Sequence, residues 1–211
     1  INQILLNRYI LMTGAPGSKW SSVSRTLCIS SDIDSSDMSV ERQYVASNKN
    51  YAMHAGAYWD SGMEFSNERE DWDTPFKSFR GTRTRLIKSH TFSHKLTDLA
   101  KDYDYPIIMV VRNDFECMNQ WFDAGGFNIK YPNYKPYYVN DKVMFQEIKN
   151  QNLDIMNFIQ ANRNRVVRVK NNMELADVCS VARPNEKNIY PCDSEGVHNY
   201  NKKDVQVYVY R

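Results

Sequence analysis

Apolar positions along the chain gather into short, nearly continuous runs, separated by longer stretches in which they recur every three or four residues. Four runs, 9–13, 85–89, 107–112 and 166–169, are rich in aliphatic residues and do not alternate cleanly with polar ones. That is the pattern of strands buried on both faces of a parallel sheet. Between them, 19–30, 93–101, 115–124 and 141–162 are compatible with helices. In the last, Val143, Ile148, Leu153, Ile155, Met156 and Ile159 fall mostly on one helical stripe, with Asp141 near its start. Strands alternating with helices predict βαβ units, and therefore an α/β fold: a three-layer parallel sheet flanked by helices.

Two stretches fit this scheme poorly. Residues 31–81 carry little periodicity, and 125–140 is a loop-like run with Pro132 and Pro136. Both are expected to be insertions over the sheet edge within a single domain spanning residues 1–211. Loops at the carboxyl ends of strands build the site in open α/β sheets. The aromatic residues of these stretches (Tyr44, Tyr58, Trp59, Phe65, Trp72, Phe76, Phe127, Tyr131, Tyr134, Tyr137) are therefore either pocket walls or simply what packs the loops down.

Composition narrows the function classes. Hydrophobic residues at 42% and charged residues at 25% describe a chain that folds. The 27 Lys and Arg stand against 25 Asp and Glu, a net charge of +2, so no global field points to nucleic acid or to an anionic membrane. The longest apolar run, 106–111, is far below the roughly 20 residues a membrane span needs. The polar start of the chain lacks the pattern of a secretory signal. Four scattered cysteines without a CxxC pair indicate neither zinc ribbon nor disulfide scaffold, and read as reduced thiols of a cytoplasmic protein, with a Cys179–Cys192 bridge left open. Charge is uneven in one place: 60–73 holds six acids against Arg69, whereas 77–95 holds six bases and no acid. Pairing of the two blocks is one reading. The basic block also runs into a strand and past His90, which a solvated face explains less well.

Candidate chemistry begins at 8–25, where an apolar strand enters a Gly/Pro/Ser loop and then a helix. In that geometry backbone N–H groups and a helix N-terminus cradle a phosphate or sulfate. Gly14, Ala15, Pro16 and Gly17 form the turn, Lys19 supplies a point charge, and Ser18, Ser21 and Ser22 supply hydroxyl donors. The loop departs from a Walker A motif: Ser18, not glycine, stands directly before Lys19, and Trp20 stands where a Ser or Thr would hold magnesium. A second segment, Arg85-Leu-Ile-Lys-Ser-His90, ends a strand on a histidine two residues after Lys88. Strand alternation sets both side chains on one side, and a near-neutral imidazole at the mouth of an α/β site suits proton abstraction from an alcohol. His94, four residues on, reads as a pocket wall or a surface residue. A third segment, 107–122, ends its strand on Arg112-Asn113, with Gln120 eight residues after the arginine and Asn119 beside it. A planar, always-charged guanidinium there suits a phosphate or a structural ion pair.

Together these segments resemble the sulfotransferase family, which uses 3′-phosphoadenosine-5′-phosphosulfate (PAPS). The loop is similar to the family's G-A-P-R-S-G-T and T-x-P-K-S-G-T-T-W forms: Thr13, Gly14, Ala15, Pro16 and Ser18 match the first, and Trp20 the second. The family's loop Lys or Arg falls on Gly17 or Ala15, so Lys19 would reach the sulfonate from a shifted place. Lys-Ser-His90 looks like the K-T-H in which the His is the general base and the Lys contacts the sulfonate region. The segment from Arg112 is similar to V-R-[ND]-P-x-D-x-x-x-S, whose Arg and Ser hold the 3′-phosphate; Asp114 replaces the Pro and Gln120 the Ser. Of the family's C-terminal K-G loop, only a weak substitute is visible in Glu195-Gly-Val-His198 with Lys202 and Lys203. The resemblance implies a fold like that of P-loop NTPases. It implies a sulfonate transferred from PAPS to the hydroxyl of a small molecule or carbohydrate, adenosine 3′,5′-bisphosphate (PAP) as product, and no metal. Two alternatives stay open: a nucleotide or metabolite kinase, for which Asp114 is the one acidic candidate for magnesium, and a catalytically silent nucleotide-binding protein of the same fold.

Overall fold

The four continuous apolar runs form strands where the pattern sets them: β1 (Tyr9–Gly14), β2 (Arg85–Lys88), β3 (Ile107–Arg112) and β4 (Val166–Val169). A computed structural model, the structure describes residues 8–37, 64–65, 67–76, 83–128, 136–184 and 204–211. Tyr44, Tyr58, Trp59, Tyr131, Tyr134, Cys192 and the stretch from Glu195 to Lys203 lie outside the described residues. The helices are α1 (Trp20–Cys28), α2 (Leu96–Asp102), α3 (Asp114–Asp123), α4 (Asp141–Ala161) and α5 (Asn172–Val178). Three of them start on an asparagine whose side chain accepts first-turn N–H groups: Asn113 for α3, Asn140 for α4 and Asn171 for α5.

The sheet has the order β2-β1-β3-β5-β4. β1 pairs in parallel with β2 on one side and β3 on the other. The all-parallel sheet expected from the sequence is corrected by a fifth strand, β5 (Val205–Tyr210), which lies antiparallel between β3 and β4. A strand in that place must bury both faces. Val205, Val207 and Val209 meet one side, and Tyr208 and Tyr210 the other. β4 is accordingly an edge strand and only partly buried.

Helices cover both faces, as an α/β sheet requires. On one, Trp20, Val23 and Leu27 of α1 and Leu175 and Ala176 of α5 pack on Ile10, Met12, Ile108 and Val110. On the other, Leu99 of α2 and Ile155, Phe158 and Ile159 of α4 pack on Leu11, Ile87, Ile107 and Met109. The start of the helix expected over 93–101 is instead a 3-10 turn, His90–Lys95, which carries the chain from β2 into α2.

The described part of the 31–81 stretch is core material. Phe65, Trp72 and Phe76 are buried on the same face as α4, with Trp72 edge-on to both Tyr9 and Phe92. The acidic and basic blocks do meet: Asp73 binds Arg85 at 2.6 Å and Arg8 at 2.7 Å, and accepts from the Tyr9 hydroxyl at 2.5 Å. Burial and this carboxylate push the Tyr9 phenol up to about 12. In the second stretch, Phe127 and Tyr138 pack against Trp121 of α3. Among the described residues, no helix is long and apolar enough to cross a membrane.

The two sides of α4 give a direct test of this packing. Ile155 is fully buried and Leu153 is 58% exposed. Ile155→Ala should lower the unfolding free energy by about 2–5 kcal/mol, and Leu153→Ala should change it by less than about 0.5 kcal/mol. Denaturant titration reads both, and equal losses would mean that α4 packs in another orientation.

Candidate functional site

Parallel pairing on both sides of β1 brings the carboxyl ends of β2 and β3 beside the loop that follows it, so the three segments singled out in the sequence share one edge of the sheet. The loop is built on glycines with little room. A Cβ at Gly14 would lie 2.7 Å from Ser18 Oγ and 3.0 Å from the Val110 carbonyl. Gly17 has φ +78°, and a Cβ there would fall 1.8 Å from the carbonyl oxygen of Cys117, so no other residue fits. Ala15 O accepts from Ser18 N at 3.0 Å, closing the turn. Lys19, half-buried, caps α1 in the left-handed region at φ 66°, a conformation that costs on the order of 1 kcal/mol for a residue with a side chain. Beyond it, the N–H groups of Trp20 and Ser21 have no acceptor within the helix. No acidic residue lies in the first turn. Ser18 is fully buried, and its hydroxyl has no partner among the described residues. Loop and helix start thus present donors and positive potential to an anion.

His90 joins this loop directly. Its ring is 2% exposed, stacks on Trp20 at a centroid distance of 3.7 Å, and is hydrogen-bonded through Nδ1 to the Gly14 carbonyl. A carbonyl only accepts, so Nδ1 carries the proton and Nε2 is the proton-accepting nitrogen of the neutral ring. Burial, with the Lys88 charge as a lesser cause, holds the imidazole far below its ordinary value, at about 3, against the opposing pull of the Gly14 bond. The near-neutral value expected of an exposed strand-end histidine is corrected here: the ring is enclosed and stays neutral. Its backbone is fixed as well. Glu64 Oε1 accepts from His90 N at 2.5 Å, and Thr13 and Ser93 hydroxyls donate to the His90 carbonyl at 3.1 and 2.8 Å.

Lys88 lies on the same side of its strand as His90, as alternation requires, yet it turns under α1 rather than into the loop. It is fully buried, with Nζ 3.3 Å from Ser24 Oγ, 3.5 Å from Ser21 Oγ and 4.8 Å from the centre of the Trp20 ring. Trp20 therefore meets both an imidazole and an ammonium. Ser21 is drawn to Lys88, while Ser22 remains half-buried at the helix start.

Arg112, 8% exposed, ends β3. Its Nε and Nη2 donate to Asp204 Oδ2 at 2.9 and 2.8 Å, Nη1 donates to the Gly17 carbonyl at 3.2 Å, and Glu116 Oε2 lies 3.5 Å from Nη2. The guanidinium thus tethers the loop and sits in an ion pair. Gln120 is half-buried on α3, one turn beyond Glu116 on the same side. Asp114 Oδ1 accepts from Asn152 Nδ2 at 2.7 Å, which engages the one acidic residue considered for magnesium.

Glu64 belongs to the acidic block, and its bond to His90 joins that block to the basic one. Asp204 and the pair that holds His94 are remote along the chain, and no local pattern marks them. His94 binds Glu147 at 2.7 Å and Asp154 at 2.6 Å, which pins the 3-10 turn after His90 to α4 and raises the imidazole to about 9. With Asp154, Leu96 and Phe158 it lines a cavity of about 380 Å³ that shares no residue with the loop. Among the described residues, no group of three or more His, Cys, Asp or Glu side chains is arranged to hold a metal ion.

Because its folded value is raised from 6.5 to about 9, the His94 contribution is complete below pH 6.5 and is lost as pH rises through 9. The unfolding midpoint of the protein should therefore exceed that of a His94→Gln variant most at about pH 6, and the gap should close towards about pH 10. A gap independent of pH would show that the ion pairs do not support the turn.

Three comparisons, with protein-family models, with curated proteins and with solved structures, find no match to this chain, so what the site can do is read from its own residues.

Proposed function

We propose that the chain is a PAPS-dependent sulfotransferase with a P-loop-like fold, acting on a hydroxyl of a small-molecule or carbohydrate acceptor. The observation that carries the reading is the meeting of His90 with the glycine loop: a strand-end histidine, fixed as the Nδ1–H tautomer by the loop's own Gly14 carbonyl, beside an anion cradle. An ordinary strand-to-helix turn has no need of that pairing.

In this reading the N–H groups at the start of α1, the Ser18 hydroxyl and the Lys19 charge take the phosphosulfate, and Ser22 and the shape of 14–17 complete the cradle. The buried Ser18 Oγ, without a partner among the described residues, fits an oxyanion at close range. Lys88 adds its charge from beneath the first turn, and Lys19 is the lysine left to meet the sulfonate. Arg112 and Gln120 are the candidates for the 3′-phosphate. The acceptor oxygen forms the new bond to sulfur as the bond from sulfur to the bridging phosphate oxygen breaks. His90 Nε2 takes the acceptor proton, and the electron pair of the broken bond leaves on the 5′-phosphate of PAP. The negative charge of the donor, arriving beside the ring, favours the imidazolium and raises the basicity of His90 above its value without ligand. The buried cysteines Cys28, Cys117 and Cys179, none in a disulfide among the described residues, accord with a cytoplasmic setting.

Calorimetric titration with PAP and with ATP, each with and without magnesium, tests the reading. Tight, metal-independent binding of PAP supports it, magnesium-dependent binding of ATP favours a kinase, and silence for both favours a protein that binds neither. His90→Asn, which keeps a donor for Gly14 but no proton acceptor, should leave PAP affinity within about two-fold and slow sulfonate transfer to a panel of phenols and sugars by about two orders of magnitude. Transfer at the parental rate would remove His90 from the mechanism.

A further inference from the structure

Arg112 raises a question of charge. Its side chain is almost fully buried, and its partners are Asp204, Glu116 and the Gly17 carbonyl, so one positive charge faces two carboxylates. A nucleotide 3′-phosphate carries close to two negative charges at neutral pH, and could not be added to this arrangement without strong repulsion.

The geometry shows which group would yield. A guanidinium has two edges that bind oxyanions in pairs. The Nη1 side is turned to the loop, where Gly17 accepts from it, and that bond belongs to the cradle itself. The Nε/Nη2 edge is taken by Asp204, whose single oxygen accepts from both nitrogens. Asp204 is there because of the sheet register: β5 runs antiparallel to β3 with Val205 opposite Arg112, which leaves the preceding residue at the carboxyl edge beside the guanidinium. The carboxylate is one-third exposed and has solvent to turn into. A partly exposed ion pair is a weak contact, whereas a two-point guanidinium–phosphate pair is strong.

We propose that Asp204 is an internal stand-in for the 3′-phosphate: it holds the Nε/Nη2 edge of Arg112 until a 3′-phosphorylated nucleotide displaces it, and so sets how strongly the site prefers such a nucleotide over one bearing only a 5′-phosphate. The proposal rests on the sulfotransferase reading and adds a residue that tunes donor selectivity.

The test compares the affinities of PAP and adenosine 5′-monophosphate for the unaltered protein and for Asp204→Asn. The variant should bind PAP about ten-fold more tightly and the monophosphate within about two-fold of the parent, because only the first ligand competes with the lost charge. An unchanged ratio of the two affinities, or equal weakening of both, overturns the stand-in role while leaving the sulfotransferase reading in place. If the unaltered protein binds neither nucleotide, that reading fails and the stand-in role fails with it. A measurement on the unaltered protein guards against a variant that does not fold: the ¹H–¹⁵N resonance of Arg112 Nε should move on saturation with PAP and stay in place with the monophosphate. A resonance that both ligands leave unmoved also overturns the proposal.

Discussion

The hydrogen bond between the His90 imidazole and the Gly14 carbonyl is the contact around which the carboxyl edge of the sheet is organised. Gly14 is the last residue of the central parallel strand, and its carbonyl faces a side chain from the 3-10 turn that follows the neighbouring strand instead of solvent. A buried carbonyl left without a donor would cost about 1–3 kcal/mol, so the bond fixes where β2 must end and which way the chain turns there. It also fixes the loop. With the histidine in place, Trp20 has a flat surface to stack on, and α1 starts with its first turn against the ring. The supports of His90 from Glu64, Thr13 and Ser93 are hydrogen bonds to its backbone, distinct from the one that its ring makes to Gly14.

The basic residues of β2 divide between the two ends of the strand, in different surroundings. Arg85 pairs in register with Tyr9 at the amino end, far from the loop in the sense of strand direction, and its charge is met by Asp73 and Asp34. There it staples the 67–76 segment, with Trp72 and Phe76, onto the sheet. Lys88 lies opposite Met12 at the carboxyl end, where its ammonium meets the Ser21 and Ser24 hydroxyls and the Trp20 indole face. A cation enclosed under the first turn of α1 adds to the positive end of the helix dipole rather than opposing it.

Much of this was legible in the sequence, for identifiable reasons. The strand runs at 107–112 and 166–169 and the long stripe of α4 coincide with the structure because continuous apolar runs and three-to-four spacing respond to burial, which is a local property. The same alternation that joins Lys88 and His90 on one side of β2 was readable. β5 was not read, although its Val-x-Val-x-Val spacing is present, because it follows a polar stretch and its aromatic residues on the other face blur the alternation. Strand direction was illegible for a different reason: parallel or antiparallel pairing depends on how the chain returns, which side-chain patterning does not encode. The ion pairs are the least legible of all. Arg112 with Asp204 and His94 with Glu147 and Asp154 join residues 92, 53 and 60 positions apart, and each partner alone looks like any other surface charge.

Arg112 is a buried charge that belongs to the fold. Its backbone is held rigidly: the carbonyl accepts from Asn152 Nδ2 at 2.9 Å, and the same amide donates to Asp114 at the start of α3, so β3, α3 and α4 meet at that one peptide. The side chain, in contrast, is satisfied by groups of unequal permanence. Gly17 belongs to a loop whose left-handed glycine has no alternative conformation with a larger residue, and that bond persists as long as the loop does. Asp204 and Glu116 are partly open to water and lose little by turning outward. A guanidinium with one fixed and two exchangeable acceptors remains neutralised in either condition, so exchanging a carboxylate for a phosphate never leaves the charge both buried and unpaired. Under the proposed reading, an arginine that is to meet an anion is thus already paired before the anion arrives.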